Sequence, residues 1–99
     1  MKLSRTVTYA LQAALQLAQS DSSLPVPCSY LAEQGQMPER FLLQILRSMV
    51  THGVLQSTRG VEGGYRLRRL PEDISLLEVI EAVDGPLAAD MPEDATLPL

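Results

Sequence analysis

Apolar positions recur along this chain in changing rhythms, and the changes divide it into elements. Between Leu3 and Ser20 the apolar residues Leu3, Val7, Ala10, Leu11, Ala14, Leu15 and Ala18 return at steps of three and four. That spacing marks one face of an amphipathic helix. Ser4 suits its N-cap, and Asp21-Ser22-Ser23 with Pro25 and Pro27 ends it in a loop. Arg5 and Tyr9 stand one turn apart, on the side opposite the apolar face. They fit a phosphate contact from each, or simple solubility and packing. A short second helix is expected over Cys28–Gln34. Pro27 suits its first turn, Gly35 suits a left-handed stop, and Leu31 and Ala32 face inward.

The stretch Met37–Tyr65 carries the clearest pattern. Gln36-Met37 forms a tight turn with Met37 beneath it. Pro38 opens a third helix that runs to His52, with Glu39 in the first turn, where the helix dipole favours an anion, and Gly53 at the end. At about 100° per residue, Leu42, Ile45, Leu46 and Met49 fall in one sector. Arg40, Gln44, Arg47 and Thr51 fall opposite, with Leu43 at the border. Two helices joined by so short a turn fit a helix-turn-helix. The pattern then becomes strand-like over Val54–Thr58 and alternates over Tyr65–Arg68. Between them lies Arg59-Gly60-Val61-Glu62-Gly63-Gly64, whose glycines permit a tight, exposed hairpin tip. A helix with charge turned outward, followed by a hairpin with a basic tip, fits a nucleic-acid groove and its flanking backbone.

Pro71-Glu72-Asp73 makes a turn, and Ser75-Leu76-Leu77-Glu78 is a capping box that opens a fourth helix. Leu76, Leu77, Val79, Ile80 and Val83 supply its apolar contacts, and Asp84-Gly85-Pro86 stops it. The fold expected is mainly α (α+β): a winged helix-turn-helix of three N-terminal helices, a two-stranded wing and a fourth helix. Residues 1–86 form this single domain. Residues 87–99 are expected as an acidic, disordered or loosely docked tail.

Composition changes this picture in three places. With 45% apolar and only 4% aromatic residues, the core must be aliphatic. No run approaches the roughly 18 apolar residues of a membrane span. The formal charge of −4 argues at first against nucleic acid. Yet all eight basic residues precede position 71, where they meet only four acids, whereas residues 71–99 hold eight acids and no base. Affinity for DNA follows the local patch rather than the sum. Finally, the N-terminus resembles a signal peptide in its basic start and apolar middle. Gln12, Gln16 and Gln19 interrupt it at helical spacing, so an amphipathic helix is the better reading. With one cysteine, Cys28, and no secretion signal, a reducing cytoplasm is expected.

Other chemistry is thin. The glycine-rich loop has no GxxxxGK[ST] or GxGxxG pattern and no helix directly after it, which argues against a nucleotide site. No nucleophile–base pair or paired carboxylates suggest an enzyme. Cys28 begins a helix, a position that lowers thiol pKa and permits redox sensing; the alternative is a small core residue. His52 suits a helix C-terminus, where the dipole favours a cation. Asp90, Glu93 and Asp94 suit a hard cation in type, but nothing fixes their spacing.

The order of these elements resembles the IscR/NsrR/CymR family of bacterial winged-helix transcription regulators. The resemblance rests on MKLSRTVTYAL at the start, LAEQGQMPERFLLQIL through the helix-turn-helix, GVLQSTRGVEGGYRL through the wing, and PEDISLLEVIEAVDGP at the end. It implies a homodimer on a palindromic operator, with helix three in the major groove and the wing at the minor groove. It implies minor-groove contact for Arg59, beside Gly60, and base-edge contact for Gln44. Pro38 and Arg40 would meet bases or phosphates, with Arg47 on the same face, and Arg5 and Tyr9 would meet backbone. Glutamine pairs with adenine, arginine pairs with guanine, and a narrow minor groove attracts arginine.

Two departures matter. Leu43 stands where some members carry an acid; it cannot accept from cytosine but suits a thymine methyl. Sensing members hold an iron–sulfur cluster on three cysteines after the fourth helix, whereas here LAADMPEDATLPL has neither cysteine nor histidine. No cofactor is therefore expected, and no effector is indicated. The chain also ends before the family's long dimerisation helix, so it is either a piece of a longer protein or a reduced member. The expected function is a cytoplasmic, sequence-specific DNA-binding transcriptional regulator acting as a repressor. The alternative is a winged-helix module that binds protein, for which the acidic end, Leu43 and the missing sensor leave room.

Overall fold

One hydroxyl fixes the start of the first helix. Ser4 sits in extended backbone, and its Oγ accepts from the Val7 N–H at 3.2 Å. That pairs one of the amides a helix start leaves without a partner. In the computed structural model, which describes residues 4–20, 24–84 and 98–99, this helix, α1, runs Arg5–Gln19. Its buried residues are Val7, Ala10, Ala13, Ala14 and Leu17. The stripe is rotated from the expected one by less than a residue step of about 100°. Ala13 and Leu17 are inside, while Leu15 is exposed and Leu11 and Ala18 are only half-buried. Three of the five buried residues are alanines, and α1 packs most extensively against the fourth helix. Tyr9 also departs from expectation. It lies beside the buried stripe rather than opposite it, half-buried, with its ring edge-on to Phe41 at 5.8 Å.

Helix α2 spans Cys28–Gly35 and α3 spans Glu39–Thr51. Pro27 and Pro38 are the N-caps, each one residue before the helix. The left-handed stop of α2 falls on Gln36 (φ 53°), not on Gly35, and the Gln36 N–H reaches the Ala32 and Glu33 carbonyls. Gly35 serves another purpose: a Cβ there would meet the Met37 side chain and Gln16 Nε2. The turn then buries Met37, whose N–H donates to Ala32 O at 2.8 Å. Leu42, Ile45, Leu46 and Met49 of α3 are buried, as their spacing requires.

Strands β1 (Leu55–Thr58) and β2 (Gly64–Leu67) pair antiparallel, with Leu55 opposite Leu67 and Gln56 opposite Arg66. The pair gains a third member from the loop before α2. Val26 and Tyr65 exchange both backbone hydrogen bonds at 2.8 Å. Pro25 and Pro27 have no N–H, so the pairing stops after one residue. Those prolines mark only a loop when read in sequence. Gly64 makes the approach feasible: its φ is 156°, and a Cβ would overlap the Val26 carbonyl.

After a 3-10 turn at Pro71–Asp73, α4 runs Leu76–Asp84. Its capping box is formed: the Glu78 N–H donates to Ser75 Oγ at 3.1 Å, and the Ser75 N–H donates to Glu78 Oε1 at 3.4 Å. Arg69 bonds the Glu78 carboxylate and the Asp73 carbonyl, tying β2 to α4. Val79, Ile80 and Ala82 are buried, while Leu76, Leu77 and Val83 are half-buried. Of the expected tail, residues 87–97 lie outside the described residues, as does the Gly85-Pro86 stop. Pro98 bridges Ser75, and the Leu99 N–H donates to Ile74 O at 2.9 Å, with Leu99 against the core.

Two measurements check this description. Arg69 holds the Glu78 carboxyl below the usual carboxylate range, and the Ser75 N–H adds to the effect. A lowered folded-state pKa stabilises above the ordinary glutamate range and is lost as pH falls through the folded value. In urea unfolding, Glu78→Gln should cost about 0.2–1 kcal/mol at neutral pH, and the difference should vanish in acid. Ser75→Ala should cost about 1 kcal/mol. Separately, Gly64→Ala should destabilise by more than about 1 kcal/mol, since the native backbone there does not admit a side chain.

Candidate nucleic-acid interface

The polar face of α3 is a single stripe. Arg40, Gln44 and Arg47 follow at steps of four and three, which places them along one side of the helix. All three are exposed, as is Thr51 one turn on. The Thr51 hydroxyl donates to the Arg47 carbonyl at 3.0 Å, so its proton is spent inside the helix. Leu43 is half-buried at the border of the stripe. Pro38 is exposed at the N-cap.

The wing meets this stripe near its C-terminal end. A groove of about 720 Å³ has Arg47 and Thr51 on the helix side and Ser57, Thr58, Arg59 and Gly60 on the wing side. Arg59 and Gly60 are exposed, and Gly60 takes φ 111°, a conformation that glycine adopts freely. Two guanidinium groups and two strand-end hydroxyls therefore converge on one concavity. Five N–H donors on each arginine suit phosphate oxygens or base edges. Ser57 and Thr58 escaped the sequence reading, where they counted only as strand. The available signal was two hydroxyl residues directly before the wing arginine.

Arg40 and Gln44 share the α3 stripe but lie beyond the groove lining. Arg5 is exposed at the start of α1. Tyr9 is turned toward Phe41 on α3, so it joins the two helices by packing. Among the described residues the one ion pair joins Arg69 to Glu78, away from this face. Arg5, Arg40, Arg47 and Arg59 are thus left without a carboxylate partner among those residues. Glu39 and Glu62 are the acids nearest in sequence.

Cys28 lies at the rim of the groove, half-buried, with Sγ 3.7 Å from the Glu39 carbonyl, to which it donates. Burial pushes its thiol pKa up, and the Glu39 carboxylate adds to the rise. Both effects oppose the lowering expected of a thiol at a helix N-terminus. His52 caps α3, with Nδ1 2.9 Å from the Ser48 carbonyl.

Comparison with known proteins agrees with this geometry. A family model described as Rrf2, iron-dependent transcriptional regulator, matches residues 3–97. The chain is 39% identical over 89 residues to the HTH-type transcriptional regulator Rv1287 of Mycobacterium tuberculosis, covering 90% of this chain and 55% of that one. It is 36% identical over 84 residues to IscR of Aliivibrio salmonicida, covering 85% and 50%. The chain thus spans about half the length of these relatives. Among solved structures, CymR of B. subtilis, the global cysteine regulator, superposes with a TM-score of 0.84 at 27% identity, covering 95% of this chain and 74% of that one. IscR of T. potens superposes with a TM-score of 0.79 at 34% identity, covering 93% and 67%. These relatives and neighbours are transcriptional regulators, not enzymes.

The raised thiol pKa has a direct readout. Cys28 should react with iodoacetamide at neutral pH more slowly than a free thiol in the same buffer. Its rate should climb only above the ordinary cysteine range, and Glu39→Gln should bring that climb to lower pH.

Proposed function

Because the chain belongs to the Rrf2 family of transcriptional regulators, we propose that it binds duplex DNA through α3 and the wing. The observation that carries the proposal is the groove where Arg47 of α3 and Arg59 of the wing converge without carboxylate partners among the described residues. In this reading α3 lies in the major groove, which admits a helix. Gln44 and Arg40 meet base edges there, and Pro38 brings the helix start against the backbone. Leu43 packs on a thymine methyl. Arg59 enters the minor groove, with Gly60 allowing close approach, and Arg5 meets a phosphate. Tyr9 supports α3 from behind through Phe41.

Two copies related by a twofold axis place two such units about one DNA turn, roughly 34 Å, apart. The proposed assembly is therefore a homodimer on a palindromic operator. Occupying an operator blocks access to the promoter, which makes the role that of a repressor in the bacterial cytoplasm. No helix among the described residues is long and apolar enough to cross a membrane. The alternative, a protein-binding face, finds no support on α3: Leu43 is half-buried, and the exposed large hydrophobics among the described residues lie elsewhere.

The family description names iron. Within these 99 residues the donors do not suit a cluster. Clusters are held by several thiolates, and here there is one cysteine, whose burial disfavours the thiolate. His52 directs Nδ1 to a backbone carbonyl. The proposed DNA binding carries no metal.

Fluorescence anisotropy with a labelled duplex from upstream of the protein's own gene tests the proposal. Affinity should fall with salt at a log–log slope of about −0.9 per phosphate neutralised. Arg59→Ala should weaken binding. Gln44→Ala should lose about 1–3 kcal/mol of discrimination at a single base pair. A wild-type protein that shows no salt-sensitive binding at low ionic strength overturns the reading.

A further inference from the structure

The wing hairpin has two faces, and one of them turns toward the core. Leu55 and Leu67, opposite each other in the register, point into the core. By the two-residue alternation of strands, Gln56, Arg66 and Arg68 belong to the other face. Pairing continues one residue past the end of β2, where the Arg68 N–H donates to Val54 O at 3.0 Å. Arg66 is held in place across the hairpin, its Nη2 donating to Gln56 Oε1 at 3.3 Å. Arg68 is exposed. Arg66 and Arg68, with Leu67, Arg69, Leu70 and Asp73, line a recess of about 370 Å³ that shares no residue with the α3–wing groove.

Charge on this face is not balanced locally. Arg69 is occupied by Glu78 and the Asp73 carbonyl. Arg66 meets only a neutral amide, and no carboxylate among the described residues pairs with Arg68. The acids Glu72 and Asp73 follow directly, so the positive strip ends there. Alternate side chains on a strand recur about 6.6 Å apart. That spacing is comparable to the spacing of successive phosphates along one DNA strand.

We propose that the outer face of the hairpin is a second contact surface for the DNA backbone. Arg66 and Arg68 each neutralise one of two successive phosphates, beyond the stretch that α3 covers, and Gln56 fixes the Arg66 guanidinium for its contact. The inference rests on the DNA-binding reading and extends it to residues outside the groove. The face lengthens the footprint without reading bases, because phosphate contacts position a protein but carry no sequence information.

The test uses the whole chain and two labelled duplexes from upstream of its own gene. One is a core duplex, and the other extends it by one helical turn on each side. The double variant Arg66→Ala/Arg68→Ala should match wild type on the core duplex. On the extended duplex it should lose affinity, with the salt slope shallower by about 1.8, from two phosphate contacts at about 0.9 each. Arg66→Lys/Arg68→Lys should keep most of the affinity and the slope, separating charge from packing. Arg59→Ala should weaken binding on both duplexes. Equal affinity of wild type and double alanine variant on the extended duplex overturns the inference while leaving the groove reading intact, and so does an equal loss on both lengths. If the double alanine variant binds DNA normally but no longer binds poly-glutamate, the face recognises acidic protein instead and the inference fails. A wild type that binds neither duplex overturns both.

Discussion

Two backbone hydrogen bonds, from Val26 to Tyr65 and back, hold the wing to the helical body. Strands of four residues joined only to each other are marginal in water. Here the hairpin gains a third partner from the loop that leads into α2, so its half nearer the tip, at the Ser57–Tyr65 pair, is anchored to the entry of the helix-turn-helix. The groove between α3 and the wing depends on that anchor. Arg47 rides on α3 and Arg59 on the hairpin, and their separation is set by how the two elements are tied. The tie is made of main-chain atoms at a residue flanked by prolines, and the Val26 side chain packs half-buried against the core. The tie is strict at Gly64, where backbone passes backbone without room for a Cβ.

The distribution of charge follows the same division. Most of the arginines lie on α3, the start of α1 and the hairpin, while the acids gather from Glu72 onward. At the seam between them Arg69 and Glu78 pair, and the pair also completes the N-terminus of α4. One contact therefore closes the boundary between the basic and acidic parts and fixes the entry of the last helix. A chain with a negative sum can present a positive surface to a polyanion when its segments are kept apart in this way.

Much of this was legible in the sequence, for reasons that differ by element. α3 was read correctly in its inward and outward faces because its apolar spacing is strict and its polar face carries charge. The Ser75–Glu78 box was readable because capping is local chemistry over four residues. The stripe of α1 was placed less than a residue step off. Three of its five buried positions are alanines, which carry weak hydrophobic signal, while Leu11 and Leu15 drew attention to the wrong side. Gly35 misled because glycine serves both left-handed stops and close contacts, and only the position of Met37 separates the two. Val26 was hidden because its pairing partner is 39 positions away and its neighbours are prolines. At the interface, the arginines were named from pattern and resemblance. The convergence of Arg47 with Arg59, the hydroxyls of Ser57 and Thr58, and the inward turn of Tyr9 needed the tertiary arrangement.

The alanine seam of α1 also bears on how such a chain can change over generations. Ala10, Ala13 and Ala14 are wholly enclosed. A larger residue at any of them meets packed neighbours, and overpacking of this kind costs about 1–3 kcal/mol. Drift at the seam is thus confined to exchanges among the smallest residues, unless a packed neighbour changes in the same lineage. The exposed stripe of α3 carries no such constraint. A lineage can replace Arg40 or Gln44 with little penalty to the body, so recognition can diversify on a scaffold that stays fixed.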